Sequence, residues 1–144
     1  MMYRILFICA HNSARSQMAE ALLRRETGGA IRVESAGLEY GPLHPHAAQV
    51  LKEVGIEISG NQSHDVFEKY KAGEHFSHVI TVCDISRERA PIFPGIAQHL
   101  HWDLPDPASF TGTEEEQLTQ TRLVRDMIQQ KVIEWCKEND IVDV

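Results

Sequence analysis

The sequence predicts one α/β domain over residues 1–144, a three-layer fold with a four-stranded parallel sheet and helices on both faces. Three observations predict it. Short apolar runs alternate along the chain with stretches whose apolar residues recur at helical spacing. Glycine and proline punctuate the changeovers. No internal repeat, low-complexity tract or linker divides the 144 residues, a length that can bury a core without disulfides.

Each element follows from its local pattern. Arg4-Ile5-Leu6-Phe7-Ile8-Cys9 is short and mostly apolar, as a central strand buried on both faces must be. The polar segment His11–Ser16 separates it from a helix over Gln17–Arg25, where Met18, Ala21, Leu22 and Arg25 share helical spacing. Ile31–Ser35 reads as the second strand, with Gly28-Gly29 before it and Gly37 after it. Pro45 opens the next helix, with Ala48, Leu51 and Val54 among its apolar positions, and Gly55 ends it. Val66–Lys71 is a short helix, His78–Val82 a β-branched third strand and Ala97–His101 a fourth. The last helix is the plainest. Thr113 and Glu116 form a capping box, and Leu118, Val124, Met127, Ile128, Val132 and Trp135 keep one side apolar. In parallel sheets of this kind ligands bind beyond the carboxyl ends of the strands. Cys9, Cys83 and the loop Trp102–Pro107 all fall at such ends.

Composition narrows the function classes. The chain is 42% hydrophobic and 24% charged, as a soluble globular protein is. Nothing resembles a signal peptide or membrane span, since the apolar stretch Ile5–Ala10 is short and Arg15 soon follows. Three cysteines without paired spacing make no disulfide framework, which points to a reducing cytoplasm. A net charge of −7 argues against nucleic acid or an anionic membrane as the main partner, although a local cluster can still hold an anion. Eight histidines invite a zinc reading, but His44-Pro45-His46 and His99-Leu100-His101 lack the usual ligand spacings and no Cys-x-x-Cys occurs.

The chemistry concentrates in Cys9-Ala10-His11-Asn12-Ser13-Ala14-Arg15-Ser16, between strand and helix. A loop folding back at a helix start points backbone N–H groups into one concavity, and the helix dipole adds positive potential there. Such a site stabilises a thiolate at its base. Arg15 can return over the loop and grip an oxyanion with its planar fork, and Ser16 can donate a hydroxyl to the thiolate. The result is a nucleophile, an anion cradle and a fixed cation. The blander reading makes Cys9 a small buried hydrophobe and Arg15 a coincidence. Strand end, polar loop, helix start and serine falling together weigh against it.

From these residues the sequence resembles the low-molecular-weight protein tyrosine phosphatase superfamily, and within it the arsenate reductase branch. The match runs through Arg4–Ser16, Gln17-Met18-Ala19-Glu20, Ser35-Ala36-Gly37, Val54-Gly55-Ile56 and Ile80-Thr81-Val82-Cys83. It closes with Trp102-Asp103-Leu104-Pro105-Asp106-Pro107 and Val124-Arg125-Asp126, and so covers almost the whole chain.

The resemblance implies a low-molecular-weight phosphatase-like fold and a role for each matching residue. Cys9 would attack the central atom of arsenate or a phosphate ester, while Arg15 and the loop amides hold its oxygens. Asn12 would fix the loop and Ser16 support the thiolate. Asp106 would be the general acid, with Asp103 as the rival carboxylate; an Asp-Pro pair is also a common turn former. Cys83 would attack the cysteine–arsenic adduct, leaving a disulfide and arsenite. Read without the family, it is a core cysteine finishing a strand. No tightly bound cofactor is implied, only an external thiol reductant (thioredoxin, glutaredoxin or a small thiol). Some members also bind potassium, and Asn12, Glu20 and Ser35 resemble its ligands; the expected aspartate aligns with His64, next to Asp65. Two positions depart from the branch: Ala90, before Pro91, and Ala14 stand where cysteines are usual. Cys136, beside Trp135, reads as packing.

Three functions fit these residues. An arsenate reductase would use Cys9, Arg15, Cys83 and Asp106, and Gln17–Glu20 with Asp106–Ala108 favour that branch. A tyrosine phosphatase would need Cys9, Arg15, Ser16, Asp106 and aromatic walls, for which only Tyr40 and Phe110 are candidates. A non-catalytic oxyanion-sensing module would need no reactive thiolate. The substrate is in each case a small oxyanion: arsenate, phosphate or an aryl phosphate.

Overall fold

Strand β1 (Arg4–Cys9) is apolar on both faces because it lies inside the sheet, between β2 (Arg32–Gly37) and β3 (His78–Thr81), with β4 (Gln98–His101) beyond β3. All pairs are parallel. The computed structural model describes residues 3–39, 41–95 and 97–141. Ile5 and Phe7 point into the larger core, against Met18 and Leu22 of α1 (Arg15–Glu26) and Val124, Ile128 and Val132 of α5 (Glu114–Glu138). Val50 and Leu51 of α2 (Pro45–Lys52) complete that layer. Leu6 and Ile8 point the other way, into a smaller core with Phe76, Val79, Phe93 and Val66 of α3 (Val66–Lys71). Alternate residues of one strand thus serve two cores, and the three-layer α/β expectation holds.

Register brings the functional ends together. Cys9 pairs with Gly37, Ile8 with Thr81 and Thr81 with His101. The Val82 N–H donates to the Ile8 carbonyl at 2.9 Å, extending the ladder to the edge where β1 hands over to its loop.

Several boundaries differ from the sequence expectation. Helix α1 begins at Arg15 rather than Gln17, and β2 runs on to Gly37. Helix α2 stops at Lys52 instead of continuing through Val54. Gly55, at φ +85°, closes the turn by donating to Lys52 O, and Ile56 donates to Leu51 O. Helix α4 (Asp84–Arg89) was not expected. Its sequence has one apolar residue, Ile85, which is exposed, so no hydrophobic stripe announces it. Its caps define it: the Ser86 N–H donates to Cys83 Sγ, and the Cys83 N–H to Ser86 Oγ. A 3₁₀ turn over Pro107–Ser109 precedes α5, which starts on the expected Thr113–Glu116 capping box. No helix among the described residues is long and apolar enough to cross a membrane.

The edge remote from Cys9 is held by charge. Arg4 Nε donates to Glu34 Oε2 at 2.6 Å, Lys69 Nζ to Glu34 Oε1 at 2.8 Å, and Arg4 also bonds Glu74. The Arg4 guanidinium lies 4.5 Å above the Phe76 ring centre. Burial alone would raise the Glu34 pKa, but the Arg4 and Lys69 hydrogen bonds outweigh it and bring it down to about 2. A carboxyl depressed from 4.5 stabilises the fold above pH 4.5 and loses that contribution as pH falls toward 2. Urea titrations will therefore show wild type losing up to about 3 kcal/mol more than Glu34→Gln across that window.

Candidate active site

The loop from Cys9 to Ser16 is built around Asn12, which is wholly buried and sits at φ +54°, in the left-handed region that asparagine tolerates better than most side chains. That turn aims the Asn12 N–H at Cys9 Sγ, 3.1 Å away. The Asn12 side chain has a fixed polarity. Its Oδ1 accepts from the His64 N–H at 3.0 Å, a group that can only donate, so Nδ2 faces Ser16 Oγ at 2.6 Å and donates to it. The Ser16 hydroxyl lies 2.8 Å from Cys9 Sγ, placed to give its own hydrogen to a thiolate there. The Asn12 N–H and the Ser16 hydroxyl both meet the sulfur.

A second set of contacts supports the loop from outside. Gln17 Nε2 donates to Asn12 O at 3.2 Å and to Gln62 O at 3.1 Å, tying α1 to the segment before α3. Ser63 Oγ donates to Gly41 O and, at 3.4 Å, to Asn12 O. The His44 N–H donates to Ser13 O at 2.8 Å. His44 Nδ1 accepts from the His46 N–H and so caps α2. Burial, then His46, holds His44 below its ordinary pKa, with Asp106 acting the other way. The start of α1 carries no side-chain cap and no acidic residue in its first turn. Its N-terminal potential is left for an anion.

Arg15 is buried and spans the sheet edge. Its Nη1 donates to Leu104 O at 3.1 Å and to Val82 O at 3.4 Å, while Nη2 lies 3.5 Å from Asp106 Oδ2. Asp106 is half exposed, and its other oxygen accepts from the Ala108 N–H at 3.0 Å to cap the 3₁₀ turn. One Asp106 oxygen thus makes the turn while the other faces the Arg15 guanidinium. Asp103, the rival acid, lies instead with Asp84 and His101.

Cys83 caps α4, with Sγ 3.2 Å from Ser86 Oγ. All three cysteines are buried and free. Burial, with Glu26 adding to it, pushes the Cys136 thiol up to about 11, in keeping with a packing role. Phe110 packs against the larger core, and Tyr40 lies outside the described residues.

The potassium ligand set does not fit an ion as it stands. Glu20 Oε1 accepts from Ser35 Oγ at 2.5 Å, Glu20 Oε2 from Arg24 at 2.7 Å, and Asn12 Oδ1 from His64 N. The Glu20 carboxylate is already neutralised by the Arg24 guanidinium, which stands where a cation's charge would be needed.

Of the residues singled out in the sequence, Cys9, Asn12 and Ser16 share one hydrogen-bonded cluster, Arg15 of the same loop pairs with Asp106, and Cys83 follows Val82, whose carbonyl holds Arg15. The supports Gln17, Ser63, His64 and the His44 backbone were missed as such. They reach the loop from distant segments, and only Gln17 carried a signal, as a branch marker.

Fold and site together define a small α/β enzyme of the low-molecular-weight phosphatase type. The chain belongs to the low molecular weight phosphotyrosine protein phosphatase family, whose model matches residues 4–141. It is 38% identical over 133 residues to an arsenate reductase of Bacillus subtilis (strain 168), covering 92% of this chain and 94% of the relative. A glutaredoxin arsenate reductase of Synechocystis sp. is 34% identical, over 91% of this chain and 94% of its own length. A solved arsenate reductase in its oxidized state superposes with a TM-score of 0.77 at 31% identity, over 91% of this chain and 94% of the other.

Proposed function

We propose that this protein reduces arsenate to arsenite with two of its own thiols, Cys9 as nucleophile and Cys83 as resolving cysteine. One observation supports the reading: Cys9 ends β1, and Cys83 lies two residues beyond the end of the neighbouring parallel strand β3. With Ile8 opposite Thr81 and the Val82 N–H bonded to Ile8 O, Cys9 falls opposite Val82, and Cys83 is the next residue, still extended, at the N-cap of α4. If the strand spacing continues through this extended backbone, their Cα atoms stand about 6 Å apart. That separation lies within the roughly 4.4–6.8 Å a disulfide spans.

The chemistry follows from the contacts. The Cys9 thiolate, held by Asn12 N–H and the Ser16 hydroxyl, attacks arsenic(V) while the loop amides and Arg15 hold the oxygens. One arsenate oxygen leaves as water, with Asp106 as proton donor. The Cys83 thiolate then leaves Ser86 and attacks Cys9 Sγ. The sulfur–arsenic electron pair passes to arsenic, arsenite departs as arsenic(III), and a Cys9–Cys83 disulfide remains.

Ala90 and Ala14 supply no thiol where the branch usually has cysteines, and Cys136 is buried as packing on α5, so no third cysteine is placed to take over the disulfide in the usual relay. An external thiol (thioredoxin, glutaredoxin or a small thiol) must reduce it directly in the cytoplasm. Aryl phosphate hydrolysis is the second reading, favoured by Asp106 facing Arg15 at 3.5 Å, because phosphoryl transfer needs only Cys9, Arg15, Ser16 and Asp106.

The test is mass spectrometry of the reduced protein after arsenate treatment and alkylation. The expected product links the Cys9 and Cys83 peptides and leaves Cys136 as an unpaired thiol. Arsenate-treated protein with three unpaired thiols would overturn the reading.

A further inference from the structure

We propose that Asp84, His101 and Asp103 form a site for a divalent transition-metal ion such as Zn²⁺, separate from the oxyanion loop. The three residues come from the first turn of α4, the last position of β4 and the loop beyond it. The fold converges their donor atoms, all within 4.8 Å of one another. An imidazole with two carboxylates is a donor set that suits zinc and its first-row neighbours.

The imidazole is oriented from behind. His101 Nδ1 lies 2.8 Å from Thr81 Oγ1, and the Thr81 hydroxyl reaches Leu100 O at 3.4 Å. With the hydroxyl hydrogen given to that carbonyl, Thr81 Oγ1 accepts from Nδ1–H, and the lone pair is left on Nε2. This is how metal-bound histidines are commonly held.

Nε2 is buried and makes no hydrogen bond, yet it lies 3.4 Å from Asp84 Oδ1. Two ligands on one tetrahedral zinc, each about 2.0–2.1 Å from the metal, stand about 3.3–3.4 Å apart. The spacing matches shared coordination better than a hydrogen bond. Among the described residues neither Asp84 nor Asp103 has a lysine or arginine ion-pair partner. Asp84 is 82% exposed, so an ion can enter from solvent and keep a water as its fourth ligand. Bound there, the ion ties the helix that Cys83 caps to the end of β4.

The competing account is an ion pair between a protonated His101 and Asp84, which would bind no metal. Calorimetric titration with Zn²⁺ separates the two. It is done on the Cys9→Ser/Cys83→Ser protein, since thiolates would otherwise compete for zinc. The expected result is one Zn²⁺ per chain, bound at least tenfold more weakly after His101→Ala and after Asp84→Asn/Asp103→Asn. The asparagine pair alters exposed side chains, so it keeps the test valid if His101→Ala fails to fold. Absence of saturable binding in the parent, or undiminished binding in a folded variant of either kind, overturns the proposal.

Discussion

Arg15→Lys is expected to lower kcat/KM for an oxyanion substrate by about 10²–10³-fold, although the charge is kept. The guanidinium does three things at once. It donates to Leu104 O and Val82 O, which fix its plane, and it presents Nη2 toward Asp106. A lysine ammonium is a point charge on a flexible stem and cannot hold two carbonyls while offering a planar fork to an anion. The loss should appear in turnover and in weaker competitive inhibition by phosphate, with the melting temperature within a few degrees of wild type. Kinetics unchanged in Arg15→Lys would mean that charge alone suffices.

Gly37→Ala is the second large effect, and it acts without touching a reactive group. A Cβ on Gly37 would sit 2.6 Å from Asn12 N, 2.7 Å from His11 C and 2.9 Å from Glu39 O. All three are backbone atoms, so no side chain can swing aside. One of them is the N–H that Asn12 donates to Cys9 Sγ. The methyl group must push the loop off β2 or push β2 off the loop, and the Gly37 N–H bond to His64 O is lost with it. Activity should fall at least about 10²-fold, with stability lower by about 1–3 kcal/mol. Gly60→Ala is the matched control, since a Cβ there meets nothing within 4 Å. Equal effects at the two glycines would show that the approach of β2 to the loop is not what holds the nucleophile.

The features readable in the sequence are those whose cause is local. The apolar β1, the polar loop at its end and the Thr113–Glu116 cap each declare themselves within a few residues, and the structure places them as expected. Helix α4 escaped because its one apolar residue faces outward and its stability rests on Ser86 and Cys83 at its start. The support of Asn12 by Gln17, Ser63 and His64 escaped because it spans segments up to 52 residues apart. Histidine spacing gave no sign of the Asp84–His101–Asp103 cluster, because its three residues come from three separate elements. Of the two candidate carboxylates, Asp106 is the one beside Arg15, while Asp103 lies with Asp84 and His101, a separation that sequence spacing alone does not reveal.

The central claim is that Cys9 alone carries the attack while Cys83 converts it into reduction. It is tested most directly by Cys83→Ser, assayed in parallel for arsenate-dependent thiol oxidation and aryl phosphate hydrolysis. Serine can accept the same hydrogen bond from the Ser86 N–H and cap α4, so the fold should persist. The account predicts arsenate reduction lost to background, with any hydrolysis within about threefold of wild type. Arsenate reduction undiminished in Cys83→Ser would contradict it.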